Sequence, residues 1–301
     1  MDVQVNKDIE DLKNIIENLD YSAMIDFVTR INHKERMKLR QNYKIKYGED
    51  LMIEFKSNLS GVFKKIILAL FTDPVEFDID SIYNSIKNDG SKNVLIEIFA
   101  SRPDWYLNKI KSLYLKKYNV ELEDHIKEGT SDDFKKLLLQ ILECKRSNNQ
   151  APDLDNCEKL SGDLEQEESE KLTLDGAINS IFIQSSPEEL MIISKKYNKS
   201  TQKLITETIE QNFKGNVKKL LNDILIAKIS PSEYYANLIH EAIYDSDEYM
   251  LLRIIVSRAE IDLEQIKKYY EKLYGNNIAD DIRNKDTSEY SNLLIALCNK
   301  H

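Results

Sequence analysis

A six-residue phrase recurs four times along this chain, and a recurrence of that kind restricts the fold to copies of one unit. The copies are Phe63-Lys64-Lys65-Ile66-Ile67-Leu68, Phe134-Lys135-Lys136-Leu137-Leu138-Leu139, Val217-Lys218-Lys219-Leu220-Leu221-Asn222 and Tyr290-Ser291-Asn292-Leu293-Leu294-Ile295. Their first residues are 71, 83 and 73 positions apart. A second marker keeps step with the first: Arg30, Arg102 and Arg258 precede the phrase by 33, 32 and 32 residues. Long repeats place function on surfaces made by repeated loops rather than in one catalytic centre.

Between the markers, apolar residues recur with a period of about 3.6, the pattern of amphipathic helices. With only 8 glycines and 5 prolines in 301 residues, turn formers are too few for an all-β or Rossmann-type chain. The expected fold is all-α, with five helices per repeat, A to E. In the first repeat they fall near residues 7–18, 22–31, 33–47, 50–56 and 59–71. In the second they fall near 79–87, 93–101, 103–118, 121–127 and 131–145. The third places them near 156–167, 172–184, 187–197, 201–211 and 216–228, the fourth near 231–244, 248–257, 260–274, 278–283 and 288–300. Gly48 and Gly275 read as C-caps, because glycine enters the left-handed region cheaply. The polar stretch 147–155, SNNQAPDLD, reads as a linker that separates two halves and lengthens the third interval. Residues 1–74, 75–146, 156–229 and 230–301 are then the four repeats. A lone helical repeat cannot bury its apolar stripe, so the recurrent phrase reads as the buried face of helix E.

The formal net charge of -10 argues against non-specific nucleic-acid binding. It argues equally against direct attraction to anionic lipid, so a membrane contact would need a bridging cation or a local basic patch. Cys144, Cys157 and Cys298 have neither metal-ligand nor redox spacing, and the opening MDVQVNKDIEDL has no apolar leader region. These features point to a cytoplasmic location. His33, His125, His240 and His301 form no ligand pair, and no nucleophile elbow or phosphate loop is present, so no enzyme is expected. Tyr43, Tyr47, Tyr114, Tyr118, Tyr269, Tyr270 and Tyr274 fall on C helices. They read as amphipathic packing with hydroxyls near water, or as contacts for a partner or lipid headgroups.

The A–B turns carry the chemistry. Calcium takes about six to eight oxygens, several from turn carbonyls, plus a carboxylate. In the second repeat the turn is Asn88-Asp89-Gly90-Ser91, and Gly90 is free to expose carbonyls. In the fourth it is Asp245-Ser246-Asp247-Glu248, with Asp286 in the D–E turn 41 residues after Asp245. Two readings stay open: calcium ligation by these groups, or simple capping, with Ser246 or Asp247 starting helix B and Asp286 starting helix E.

The order of these motifs resembles that of the annexins over essentially the whole chain. Leu59-Ser60-Gly61-Val62-Phe63-Lys64-Lys65-Ile66-Ile67-Leu68-Ala69-Leu70 is similar to the start of an annexin E helix. So are Lys214-Gly215-Asn216-Val217-Lys218-Lys219-Leu220-Leu221 and, for helix B, Leu95-Ile96-Glu97-Ile98-Phe99-Ala100-Ser101-Arg102. The most specific match is Leu252-Arg253-Ile254-Ile255-Val256-Ser257-Arg258-Ala259-Glu260-Ile261-Asp262-Leu263, followed by Asp286-Thr287-Ser288. The resemblance implies four repeats of five helices forming a curved disc. It also implies a convex face whose A–B and D–E loops bind acidic phospholipid through calcium.

The family's KGxGT loop, answered by an acidic residue in the D–E turn, is eroded here. Asn58 and Asn212 stand in the acidic slot of the first and third repeats, Glu128-Gly129 lies near it in the second, and Asp286 keeps it in the fourth. Metal ligands are therefore expected among Asp245, Ser246, Asp247 and Asp286, and among Asn88, Asp89 and Gly90, with few or weak Ca2+ sites. Such erosion resembles the protozoan alpha-giardins, which implies a peripheral position at plasma membrane, cytoskeleton or flagella. Microtubules or another cytoskeletal protein are then candidate partners, and the protein is expected as a monomer or weak dimer. The alternative expectation is a structural protein that binds cytoskeletal or flagellar partners with little dependence on calcium or lipid.

Overall fold

Helices start in this chain where a side chain holds the first free amide groups, and stop where a residue turns left-handed. The computed structural model describes residues 3–87, 91–147 and 151–300. Among the described residues there are nineteen α-helices, one π-helical turn and no strand. The first repeat contains α1 (Val3–Glu17), α2 (Tyr21–Arg30), α3 (His33–Tyr47), α4 (Leu51–Asn58) and α5 (Gly61–Leu70). The second contains α6 (Pro74–Lys87), α7 (Lys92–Ser101), α8 (Asp104–Tyr118), α9 (Leu122–Gly129) and α10 (Asp132–Leu142). The third has α11 (Leu154–Glu170), the π-helical turn Asn179–Gln184, α12 (Pro187–Thr201), α13 (Ile205–Asn212) and α14 (Gly215–Ile229). The fourth has α15 (Pro231–Tyr244), α16 (Glu248–Arg258), α17 (Leu263–Tyr274), α18 (Ile278–Lys285) and α19 (Glu289–Cys298).

Asn32 and Glu35 form a reciprocal capping box at the start of α3, as do Ser186 and Glu189 at the start of α12, where Pro187 takes the first turn. The C helices all end on a left-handed residue: Gly48, Asn119, Gln202 and Gly275, with φ of 78°, 54°, 60° and 76°. Asparagine tolerates that region better than other side chains, and glutamine accepts it at a modest cost.

The recurrent phrase does form the buried face of helix E. Phe63, Ile66 and Ile67 are buried, as are Phe134, Leu137 and Leu138, then Val217, Leu220 and Leu221, then Leu293 and Leu294. Contacts divide the chain into two compact units, residues 1–77 with 235–301 and residues 78–234. The compact units thus do not follow the halves on either side of the linker, because the fourth repeat returns to the first. In the first unit α16 lies on α5, and α19 on both α2 and α5. In the second, α14 runs along α7 and α11 along α12.

The third repeat departs most from expectation. A full B helix over 172–184 is replaced by the π-helical turn, preceded by a passage whose Leu172 and Leu174 are buried without being helical. Glu167 of α11 accepts the Ala177 amide at 2.9 Å, and a Cβ on Gly176 would stand 2.2 Å from the same carboxylate. Helix B therefore starts only past Gly176. Helix α12 continues to Thr201, where a new helix was expected to begin.

The tyrosines are also placed differently. Tyr43, Tyr114, Tyr197 and Tyr270 are fully buried, one per repeat. The residue eleven positions on lies in helix D and meets the hydroxyl in three repeats: His125 Nδ1, Thr208 Oγ1 and Asp281 Oδ2. In the first repeat Glu54 holds that position. These hydroxyls tie helix C to helix D instead of facing water, while Tyr47, Tyr118, Tyr269 and Tyr274 are half-buried. His125 is mid-helix and buried, its pKa lowered by that burial, and belongs to this tie rather than to any metal.

Helices α6 and α9 approach each other through a glycine. A Cβ on Gly129 would lie 2.3 Å from Ile86 Cγ2. Gly129→Ala is expected to cost about 1–3 kcal/mol by overpacking, measured by urea unfolding; a change within error would show that the contact relaxes freely. Among the described residues no helix is long and apolar enough to cross a membrane.

Candidate metal cleft in the fourth repeat

Helices α2 and α19 lie side by side and finish together, since Lys300 Nζ donates to the Ile31 carbonyl at 2.8 Å. Their N-termini consequently share the other end of this unit. Tyr21, first in α2, meets Phe63 of α5 with ring centroids 4.8 Å apart. The A–B turn of the fourth repeat joins the same end, because it shares a cleft with the D–E turn before α19.

That cleft has a volume of about 410 Å³ and is lined by Ser246, Glu248, Lys285, Asp286, Ser288 and Tyr290, among others. Its floor is a helix C-cap fused to a helix N-cap. The Ser246 amide donates to the Ile243 carbonyl at 3.3 Å and the Asp247 amide to the Ala242 carbonyl at 2.9 Å, with Ser246 at φ 56°. This closes α15 in a Schellman-type turn. Asp247 then caps α16 by accepting the Met250 amide at 3.0 Å. Asp286 ends α18, its amide bonded to the Ile282 carbonyl at 3.0 Å. Its carboxylate accepts the Ser288 amide at 3.2 Å, the Ser288 hydroxyl, and the Ser291 hydroxyl at 2.7 Å. The Ser288 and Ser291 hydroxyls hold Asp286 below the usual carboxylate range, so it is ionised at neutral pH.

Among the expected ligands, Ser246 and Asp286 are brought together. Asp245 is exposed, and Asp247 is committed to the cap; neither lines the cleft. Asn88, Asp89 and Gly90 lie outside the described residues. Glu248, Ser288 and Tyr290 were missed; the signal for Glu248 was its place directly after the N-cap, where a side chain reaches back over the turn. Lys285 also lines the cleft, its amine 5.6 Å from the centroid of the exposed Tyr244 ring.

Apart from the Lys285 ammonium, the polar groups of the cleft are oxygens, two carboxylates and several hydroxyls, which suits a hard cation such as calcium rather than zinc. No group of three or more His, Cys, Asp or Glu side chains converges on a metal position among the described residues. Calcium held here would therefore draw on Asp286 and Glu248 with hydroxyls and water.

The first and third repeats are poorer. The first has the same fused turn, with Leu19 at φ 52° and Asp20 accepting the Ala23 amide at 2.9 Å. Opposite it, Asn58 bonds to the Glu54 carbonyl of its own helix at 2.9 Å. In the third, Asn212 likewise bonds to the Thr208 carbonyl at 2.9 Å.

A sequence model of the family described as Annexin matches residues 8–70, 77–141, 158–224 and 234–297. The chain belongs to the annexin family. It is 31% identical to annexin A13 of Mus musculus over 282 residues, which is 92% of this chain and 89% of that protein. A mutant of annexin A8 with an intact N-terminus superposes with a TM-score of 0.93 at 27% identity, covering 99% of this chain and 96% of the other. Calcium-bound alpha-1 giardin matches with a TM-score of 0.80 at 19% identity, covering 99% of each chain, a likeness of fold alone. The alpha-giardin type is thus not singled out, and mammalian annexins match this annexin well. Annexins bind phospholipid membranes through calcium in general and are non-catalytic, in keeping with the absence of any catalytic motif in the sequence.

Proposed function

We propose that this annexin binds acidic phospholipid membranes peripherally and through calcium, with the fourth repeat as its main site. The observation that carries this reading is the meeting of Ser246, Glu248 and Asp286 in one oxygen-lined cleft. Asp286 supplies the fixed charge, Glu248 a second carboxylate, and lipid phosphate completes the shell. Asp245 and Asp247 strengthen the local negative field without ligating. Asn88, Asp89 and Gly90, in the turn of the second repeat, would hold a further ion only with the Lys92 ammonium displaced from the Ser85 and Gly129 carbonyls. The repeat limits 1–74, 75–146, 156–229 and 230–301, a cytoplasmic location and a monomer or weak dimer belong to the same reading.

The test is cosedimentation with phosphatidylserine vesicles in millimolar calcium and in chelator. Pelleting should require calcium, and Asp286→Ala should weaken it about 10-fold or more, the effect of removing a charged ligand. Failure to pellet at any calcium level would dismiss the proposal. A second reading rests on the closed turns of the first and fourth repeats, which already use carbonyls that a metal would need. It makes the protein a structural partner of cytoskeleton or flagella in the manner of alpha-giardins, and cosedimentation with microtubules in chelator distinguishes it.

A further inference from the structure

The residue after the N-cap of helix B is Tyr21 in the first repeat, Lys92 in the second and Glu248 in the fourth. The three open helix B with different chemistry. Tyr21 places a ring against Phe63. Glu248 lines an open, acidic cleft. Lys92 bridges two carbonyls with its ammonium, donating to Ser85 at 3.3 Å and to Gly129 at 3.4 Å.

Those two carbonyls lie at the C-terminal ends of α6 and α9. Each helix end carries a partial negative charge of about half an electron. The two ends are forced together, since the missing side chain of Gly129 is what admits Ile86. Ser85 itself is buried. Two negative helix ends that meet at a half-buried position favour a positive group between them. The Lys92 charge faces these carbonyls, and among the described residues it forms no ion pair with a carboxylate.

We propose that Lys92 is the resident cation of the second repeat, its ammonium joining the ends of helices A and D so that this repeat closes without metal. One position in the repeat then sets the local chemistry: a ring in the first copy, a tethered ammonium in the second, and an external cation in the fourth. The contrast with the fourth copy rests on the calcium reading above, whereas the tie made by Lys92 does not.

The experiment is thermal unfolding of the full chain as Lys92→Gln, in the Asp286→Ala background so that the fourth cleft does not respond. In chelator, Lys92→Gln should melt about 2–4 °C below its Asp286→Ala parent. Amide hydrogen exchange should accelerate at the ends of α6 and α9 and stay unchanged in α17. Millimolar calcium should return most of the lost melting temperature in Lys92→Gln and do little to the parent, because calcium replaces the ammonium. Equal melting temperatures in chelator would overturn the inference, and so would a loss that calcium does not restore. Vesicle binding unaffected by Asp286→Ala alone would count against the calcium reading and leave Lys92 untouched.

Discussion

Replacing Arg36 by alanine is expected to lower stability by about 3–5 kcal/mol, the cost of breaking a buried charge pair by removing one partner. Arg36 is 3% exposed and donates to four acceptors. Its Nε reaches the Leu70 carbonyl at 3.0 Å, and Nη1 reaches the carbonyls of Val28 at 3.1 Å and Ile31 at 2.7 Å. Its Nη2 bonds Glu260, which also accepts the His33 amide at 2.9 Å. One side chain thereby closes the ends of α2 and α5 and joins the first repeat to the fourth. Alanine would take the guanidinium from the Leu70, Val28 and Ile31 carbonyls and from Glu260, leaving Ile31 only its Lys300 bond and Glu260 the His33 amide. Urea unfolding measures the loss; a loss under about 1 kcal/mol would mean that water replaces the guanidinium without penalty.

The same pair predicts an acid dependence. Burial pushes the Glu260 pKa up, but the His33 amide and the Arg36 guanidinium overcome it and leave the carboxyl below its ordinary value. A depressed carboxyl stabilises the fold above its unfolded pKa, about 4.3 for glutamate, and that contribution fades as pH falls through the folded value. The stability gap between the wild type and Arg36→Ala should therefore be widest at neutral pH and narrow in acid.

Arg102→Leu should cost a similar amount, about 3–5 kcal/mol, by a different route. In the second unit Arg102 Nε lies 2.8 Å from Asp78 and Nη1 lies 3.0 Å from Glu97. Both carboxylate side chains are almost wholly buried, at 2% and 1% exposure. Leucine preserves much of the volume but takes the guanidinium away from two buried carboxylates. The cost should fall by more than half when Asp78→Asn and Glu97→Gln are added, since neutral amides need no counter-charge. A triple variant no more stable than Arg102→Leu would show that the loss lies in packing and not in charge.

Much of this architecture was legible because it is local. The E-helix phrase announced a buried stripe, since its apolar spacing repeats within a turn or two. Gly48 and Gly275 marked helix ends for the same reason. The π-helical turn at 179–184 was not legible, because an apolar run such as Ile181-Phe182-Ile183 is compatible with either helix type. What decides it is Glu167, which caps Ala177 from a neighbouring helix. The buried tyrosines were visible as a spacing, but not as buried, since their partners lie eleven residues on in another helix.

For the candidate cleft, Asp286 and Ser246 could be named from their place in the repeat. Asp247 could not be assigned between cap and ligand until the Met250 amide was seen on its carboxylate. Glu248 was signalled only by its place after the N-cap, where an acidic residue is ordinary, and Lys92 gave no sign that it would reach the ends of α6 and α9.

The sequence by itself determined an all-α chain of four related copies and membership of the annexin pattern, because helical periodicity, caps and repeat order depend on neighbours within a few turns. Only the tertiary structure decided that the first and fourth copies make one compact unit and the second and third another. The contacts responsible, Glu260 on the His33 amide and Lys300 on the Ile31 carbonyl, span 227 and 269 residues. No local pattern encodes which distant carbonyl a lysine will reach. That depends on which helix ends are brought together in space, and the same fact sets the chemistry of each turn.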